Sequence, residues 1–542
     1  MRGKRETPPW EKELGGRPPL REGGYSRELE GRVMQRIASG RVPRTRRRLI
    51  RWSPVLACGL LLAIGITQAD SLAGWAGRIG RDPGAEGSAL NGGKPIVLKV
   101  ASDSAADFMA SYGQAFEKRY PNAKLRVIPL GGRSAFEPEK EDSAWTAWLR
   151  AEKPDVLELA AGRTFSMLAE EGRLLALEEA SREEGWEAGR MHTGVMESLR
   201  RLGGGGLYGI APEYDQLALY YHPALFGRYG VPAPRDGMTW EQLLGTASRF
   251  ASVQTEEGER IYGLAAGEDT GLVDGMLNAA AGGGLDLLDP AGRFSLQSAQ
   301  WSGLWGQAVE AVRRGAVYTG RMQKEAKRAV AAQPTGIEKD GGQGGHASGE
   351  AEPGGAPAAE GSAVRLFLEG RAAMVLGDYD FARRLDEASR TGASEASKDW
   401  NVATEPTVSV GPGEVSTTFA LRKVYAAAAV SEQQEAALTL VKWIAGEEAA
   451  KGRAAAAGEQ HLPARLPGLT LRLLQGKHAE AFYRLRPSQP EEARVLPAEL
   501  AGVLPLLAAE RLEAAAAGRQ TPEAALRQLE AEAQAVPGGS AK

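Results

Sequence analysis

Cysteine is nearly absent from this chain of 542 residues: Cys58 stands alone, so neither an intramolecular disulfide nor a cysteine-based zinc site can form. A small disulfide-stapled secreted scaffold is excluded with them. Histidine is scarce as well. Its five residues, among them His192, His222 and His461, show neither His-Glu-x-x-His nor His-x-His spacing, which argues against a metal site. Gly (69) and Pro (30) make up about 18% of the chain, below the roughly 25–30% of a low-complexity disordered sequence. No short period runs through it, so collagen-like and coiled-coil rods are out. No Gly-Lys-Ser/Thr follows the glycine run 203–206, which removes a phosphate loop and leaves a flexible hairpin as its expected role.

What is present is unevenly distributed. A chain with 43% hydrophobic residues can bury more than one core, and its formal charge of −3 conceals two regions of opposite sign. Residues 1–51 carry 15 Lys+Arg against 6 Asp+Glu, a net of +9, and residues 52–542 carry 51 against 63, a net of −12. The acidic body lacks the basic face that phosphate neutralisation requires, so no nucleic-acid partner is expected.

Residues 52–69 are 18 uncharged residues in a row, directly after Arg44, Arg46, Arg47, Arg48 and Arg51. Clustered arginines on that side predict a cytoplasmic N-terminus and an extracytoplasmic, cell-membrane-associated body beyond Asp70. The segment is at the short end of the roughly 17–25 residues that span a bilayer. It is either a retained transmembrane anchor or a signal h-region, although a 51-residue n-region is long for a signal. Cys58 lies inside the apolar stretch and not after it, so the lipobox spacing fails. Residues 1–51 read as a mostly disordered basic tail with a short amphipathic run at 29–37, and residues 70–94 as a polar linker.

The folded pattern starts at Pro95. Ile96-Val97-Leu98-Lys99-Val100 reads as a strand buried on both faces, Ser102-Asp103-Ser104 as helix N-cap chemistry, and Phe108, Tyr112, Phe116 and Tyr120 as the stripe of a helix. Two more strand-helix pairs follow at 125–149 and 155–171. Alternation of this kind means βαβ units and a mainly parallel sheet, whose ligands bind beyond the carboxyl ends of the strands. Residues 321–362, rich in Gly, Ala, Pro and Glu, read as a disordered insertion.

The order of segments resembles a known family. Ala115-Phe116-Glu117-Lys118-Arg119-Tyr120-Pro121-Asn122, Pro154-Asp155-Val156, Leu168-Ala169-Glu170-Glu171-Gly172, Leu207-Tyr208-Gly209-Ile210-Ala211-Pro212 with Leu219-Tyr220-Tyr221, Thr239-Trp240-Glu241, Glu369-Gly370-Arg371-Ala372-Ala373-Met374 and Leu462-Pro463-Ala464-Arg465 are similar to motifs of extracellular solute-binding proteins, family 1. That group includes maltose-binding protein, and the resemblance covers about 95–535. It implies a two-lobed α/β periplasmic-binding-protein-like (type II) fold with a hinge and an interlobe ligand cleft. Lobe 1 would be 95–213 plus 405–430, and lobe 2 would be 215–402 plus 431–535.

The resemblance also implies a ligand site. Matching positions are Asp103, Arg163, Asp215, Glu268, Asp269 and Tyr379, the last in the Gly377-Asp378-Tyr379 turn where the family more often has Trp. Four of them have a plainer alternative: a helix cap for Asp103, a surface charge for Arg163, a solvated turn for Asp215 and core packing for Tyr379, as for most of the tryptophans. The function implied is an ABC importer's solute-binding protein, taking a sugar or oligosaccharide, partnered by permease subunits, tethered through 52–69, and requiring neither cofactor nor catalysis. A membrane-anchored ligand sensor using the basic tail is the alternative. An extracellular carbohydrate-active enzyme ranks last, since it needs a defined carboxylate pair.

Overall fold

The computed structural model describes residues 90, 95–131, 142–178, 190–267, 271–283, 285, 287–289, 292–320, 362–392, 394–407, 415–457, 460–465, 471–488 and 498–536, all within one compact unit, Glu86–Lys542. The expectations for 1–51, 52–69 and 321–361 lie outside the described residues. Of the stretch expected as a linker, 70–94, only Leu90 is described, and it is fully buried in the first core. No described helix is long and apolar enough to cross a membrane.

The strands are β1 (Ile96–Ser102), β2 (Ala123–Pro129), β3 (Val156–Ala160), β4 (Glu213–Asp215), β5 (Ala218–Tyr221), β6 (Tyr262–Ala265) and β7 (Val317–Tyr318). They continue with β8 (Ala372–Gly377), β9 (Asn401–Thr404), β10 (Val415–Ser416), β11 (Ala420–Leu421), β12 (Lys423–Ala427), β13 (Leu462–Pro463) and β14 (Arg486–Pro487). The first sheet has the order β12-β3-β1-β2, with β1 parallel to β2 and β3, and β12 antiparallel at the edge. The second has the order β7-β6-β8-β5-β9, with β6, β7 and β8 parallel and β5 antiparallel to both of its neighbours. This is a two-lobed α/β fold, because each sheet carries its own helices.

Between the sheets the chain crosses three times. Strand β4 is followed after two residues by β5, β9 leads on to β10, β11 and β12, and β13 precedes the segment running to the C-terminal helices. A small sheet of order β11-β4-β13, antiparallel throughout, gathers these crossings.

The first helix shows how the sequence sets local structure. Ser104 accepts from Asp107 N–H at 3.2 Å and caps it, so the cap falls on Ser104 and not on Asp103. Residues Met109–Gly113 form a π turn between the α segments Ala105–Phe108 and Gln114–Arg119. A strict four-residue spacing drifts around a 3.6-residue helix, and the wider i→i+5 turn returns Phe108, Tyr112 and Phe116 to one buried face. There Tyr112 meets Tyr425 edge-on at 5.3 Å and Phe116 meets Trp443 at 5.5 Å, each worth about 0.5–1.5 kcal/mol beyond area burial.

Period-two alternation splits β5 between two cores. Ala218 and Tyr220 join the first, which runs through lobe 1, and Leu219 joins the second, built with Trp240, Trp301, Trp305 and the helices Ala498–Ala516 and Pro522–Ala535. At Gly263 in β6 a Cβ would sit 2.2 Å from the Ala247 carbonyl oxygen and 2.4 Å from its Cα, so this sheet-helix approach excludes any side chain.

Two expectations are corrected. Helices Gln434–Ile444 and Glu447–Ala457, grouped above with lobe 2, pack on β12, β3 and the first helix, because their apolar faces, including Ala437, Leu440 and Val441, complete the lobe 1 core. The run 203–206 is a helix terminus and not a hairpin. Gly204 (φ +64°) donates to the Arg201 carbonyl and Gly205 to the Arg200 carbonyl, the Schellman pattern that closes Thr193–Leu202.

Asp155 ties three segments together. It is 5% exposed and accepts from Lys99 N–H at 2.7 Å and from the Ser431 hydroxyl at 2.5 Å. Asp155→Ala should lower unfolding stability by about 2–4 kcal/mol, since charge-assisted bonds are lost and buried donors stranded. Asp155→Asn should cost less. Urea titration of both variants checks the order.

Candidate functional site

Ligands of parallel sheets lie beyond the carboxyl ends of the strands. In lobe 1 those ends are Ser102 of β1 and Ala160 of β3. The exposed side chain of Asp103 follows the first, and the exposed side chain of Arg163 follows the second as the leading residue of helix Arg163–Glu170. Its N-cap, Gly162, supplies no side-chain cap. Asp103 and Arg163 therefore stand on one edge of one sheet.

Directly behind this edge is a buried carboxylate. Glu158, 3% exposed, accepts from Ser102 Oγ at 3.1 Å, Tyr425 Oη at 3.1 Å and Lys423 Nζ at 2.5 Å. Taking a carboxylate out of water is costly unless donors and a counter-charge replace the lost hydration, and these three do so. Burial pushes the Tyr425 phenol well above its ordinary range and the neighbouring Tyr112 phenol up to about 12, so both remain protonated donors. Arg453, 7% exposed, donates to Tyr112 Oη at 3.0 Å and pairs with Glu213 Oε1 at 2.7 Å.

Asp215 sits on the hinge sheet with both oxygens engaged. His461 Nδ1 lies 2.7 Å from Oδ1, and Arg422 lies 3.3 Å from Oδ2. The Asp215 hydrogen bond raises the His461 pKa, and Coulombic attraction adds to it.

Tyr379 does not provide the stacking face expected of it. It leads helix Tyr379–Thr391, is 1% exposed, and packs edge-on against Phe482 at 6.1 Å, so it has no surface to offer a solute in this conformation. Glu268 and Asp269 lie outside the described residues. Close to them in sequence, at the carboxyl ends of β6 and β7, is a small pocket with room for about one water molecule, lined in part by Gly267, Gly271, Thr319 and Glu513. Thr319 and Glu513 are its polar groups, 8% and 5% exposed.

No group of three or more metal-ligating side chains occurs among the described residues. His192 accepts from Gly194 N–H as a helix cap, and His222 lies between the Asp399 and Phe367 carbonyls, so both are structural. Sequence reasoning missed Glu158, Lys423, Tyr425 and Arg453. One signal was available: a glutamate inside the otherwise apolar run Val156-Leu157-Glu158-Leu159 must find a partner if the strand is buried on both faces.

Residues 101–451 match the family model for bacterial extracellular solute-binding protein. The chain belongs to that family. As a solute-binding protein it shares its fold with a sugar transporter of Rhizobium etli solved in an open conformation (19% identity, TM-score 0.53, covering 81% of this chain and 100% of that one). It is similar also to the sugar-binding protein MalE of Xanthomonas citri (17%, 0.52, 80% and 96%). A third is an extracellular solute-binding protein family 1 member of Alicyclobacillus acidocaldarius (16%, 0.51, 82% and 98%). Comparison with curated protein sequences finds no match.

The hinge of this solute-binding protein holds one more titratable group. Glu405 follows β9, is 3% exposed, and accepts from Thr417 N–H at 3.0 Å. Burial pushes its carboxyl from 4.5 up to about 7, against the opposing pull of hydrogen bonds from Thr417 and Thr418. A carboxyl raised in the folded state binds extra protons there, so its contribution to stability is complete below pH 4.5 and is lost as pH rises through about 7. Glu405→Gln should flatten the fall in stability across that window, read from urea midpoints at a series of pH values. An unchanged slope would contradict the assignment.

Proposed function

We propose that this chain is the extracytoplasmic receptor of an ABC importer and binds a small polar solute, in chemistry a sugar or oligosaccharide, between its two lobes. The observation that carries the reading is the pair of mainly parallel sheets joined by three crossing segments, with polar and charged side chains at the carboxyl ends of their parallel strands. Such a frame suits hinge closure: a solute touching both lobes favours the closed state by its differential affinity, and a permease can discriminate that state. Asp103 and Arg163 on one edge, with Thr319 and Glu513 at the other, form a set of acceptors and donors suited to hydroxyl groups. The sugar-related names of the Rhizobium and Xanthomonas proteins support the same solute class. Glu268 and Asp269 remain in the proposed site, whereas Asp215 is assigned to the hinge and Tyr379 to the core.

The proposed partners are membrane permease subunits, with tethering through residues 52–69. The 51-residue tail of net charge +9 supports a second reading, in which the same body reports ligand across the membrane as a sensor. Either way the protein binds and releases its solute without turnover, and no cofactor is required.

Titration of the full-length protein with maltodextrins and with xylo- and arabino-oligosaccharides should give saturable calorimetric binding to one class. Free ligand at about 100 times Kd should stabilise the fold by about 2.7 kcal/mol. Hydrolysis of a sugar in place of stable binding would overturn the receptor reading.

A further inference from the structure

Lys423 and Glu158 form a charged pair at the carboxyl edge of the first sheet that no motif of the sequence names. Lys423 opposes Ala160, the last residue of β3, and Tyr425 opposes Glu158. Opposed residues share a face and so do residues two apart, so Lys423, Tyr425 and Glu158 lie on one face of the sheet. Ser102, at the end of β1, completes the group from the other side. Exposure changes sharply within the pair: the Glu158 side chain is 4% exposed and that of Lys423 49%.

We infer that Lys423 is a solute-contacting, specificity-determining residue, and that Glu158 is the positioning residue that holds its ammonium at the cleft edge for the hydroxyl groups of a neutral polyhydroxy solute. This rests on the receptor reading above and deepens it.

The chemistry follows from what each group has left to offer. Glu158 Oε2 is taken by two hydroxyl donors and Oε1 by the ammonium, so the carboxylate is committed inward. The half-exposed ammonium has three N–H donors and spends one on Glu158 Oε1, leaving two for solute oxygens. Because the buried carboxylate balances its charge, the pair as a whole is neutral and favours a hydroxyl over a carboxylate or phosphate. A sugar ring at the carboxyl edge of this sheet accepts from Lys423 through its hydroxyl oxygens. A lysine tethered in this way is a fixed donor, whereas an untethered one would lose rotamer freedom on binding.

The test uses the full chain and four probes: maltose, maltotriose, xylotriose and arabinotriose. Lys423→Met removes the donor but strands the Glu158 charge, so loss of stability would confuse the result. The double variant Glu158→Gln/Lys423→Met removes both charges and avoids this. It should unfold at the wild-type temperature yet bind the preferred sugar about ten-fold more weakly by calorimetry. Lys423→Arg keeps the ion pair and changes the donor geometry, so it should alter the relative affinity among the four sugars by about three-fold or more. A double variant that binds like the wild type, or an arginine variant with unchanged ranking, overturns this inference and leaves the receptor reading intact. A wild-type protein that binds none of the four overturns both.

Discussion

A three-residue strand holds the two halves of this molecule together. Strand β4 is too short for its few ladder bonds to define its position, and its two acidic residues complete the task. Glu213 is held by the buried guanidinium of Arg453, and Asp215 by His461 and Arg422. Those partners come from the helix Glu447–Ala457, from the residue before β13 and from the turn before β12, so side-chain contacts add to backbone pairing in holding β4. Exposed pairs of this kind are screened and weak, whereas Arg453 is buried and its partner Glu213 is mostly so, which leaves their pair less screened.

The same logic runs through lobe 1. Asp155, Glu158 and Arg453 are all buried, and each finds a partner far away in sequence: Ser431 for Asp155, Tyr425 for Glu158, Tyr112 for Arg453. In each case the later partner or charge belongs to the stretch 423–457, which the chain reaches only after laying down the second sheet. These pairs therefore mark where the returning chain must dock. Tyr425 reaches across β3 to the face where Phe108 and Tyr112 pack, so the apolar core and the buried charges specify the same register.

Much of the architecture could be read from residue pattern. The apolar runs at Ile96, Leu125 and Val156 became β1, β2 and β3, and the stripe Phe108, Tyr112, Phe116 became the buried face of a helix. The π turn in that helix was not legible, because four-residue spacing fits an α-helix nearly as well and only packing on the sheet shows the drift. The glycine run 203–206 misled for a related reason: positive φ is needed equally by a hairpin and by a Schellman cap, and the hydrogen bonds decide between them.

The candidate site divides along the same line. The order of motifs determined the family, the alternation of strands and helices determined the fold class, and together they placed Asp103 and Arg163 at the carboxyl edge of a parallel sheet. All of these depend on neighbours in sequence. Tertiary structure decided that Tyr379 packs inward, that Asp215 is taken up by His461 and Arg422 on the small β11-β4-β13 sheet, and that Glu158 and Lys423 meet at the carboxyl edge of the first sheet. Those outcomes depend on which distant segments share a face, and Glu158 and Lys423 come together only through the antiparallel return of β12 beside β3.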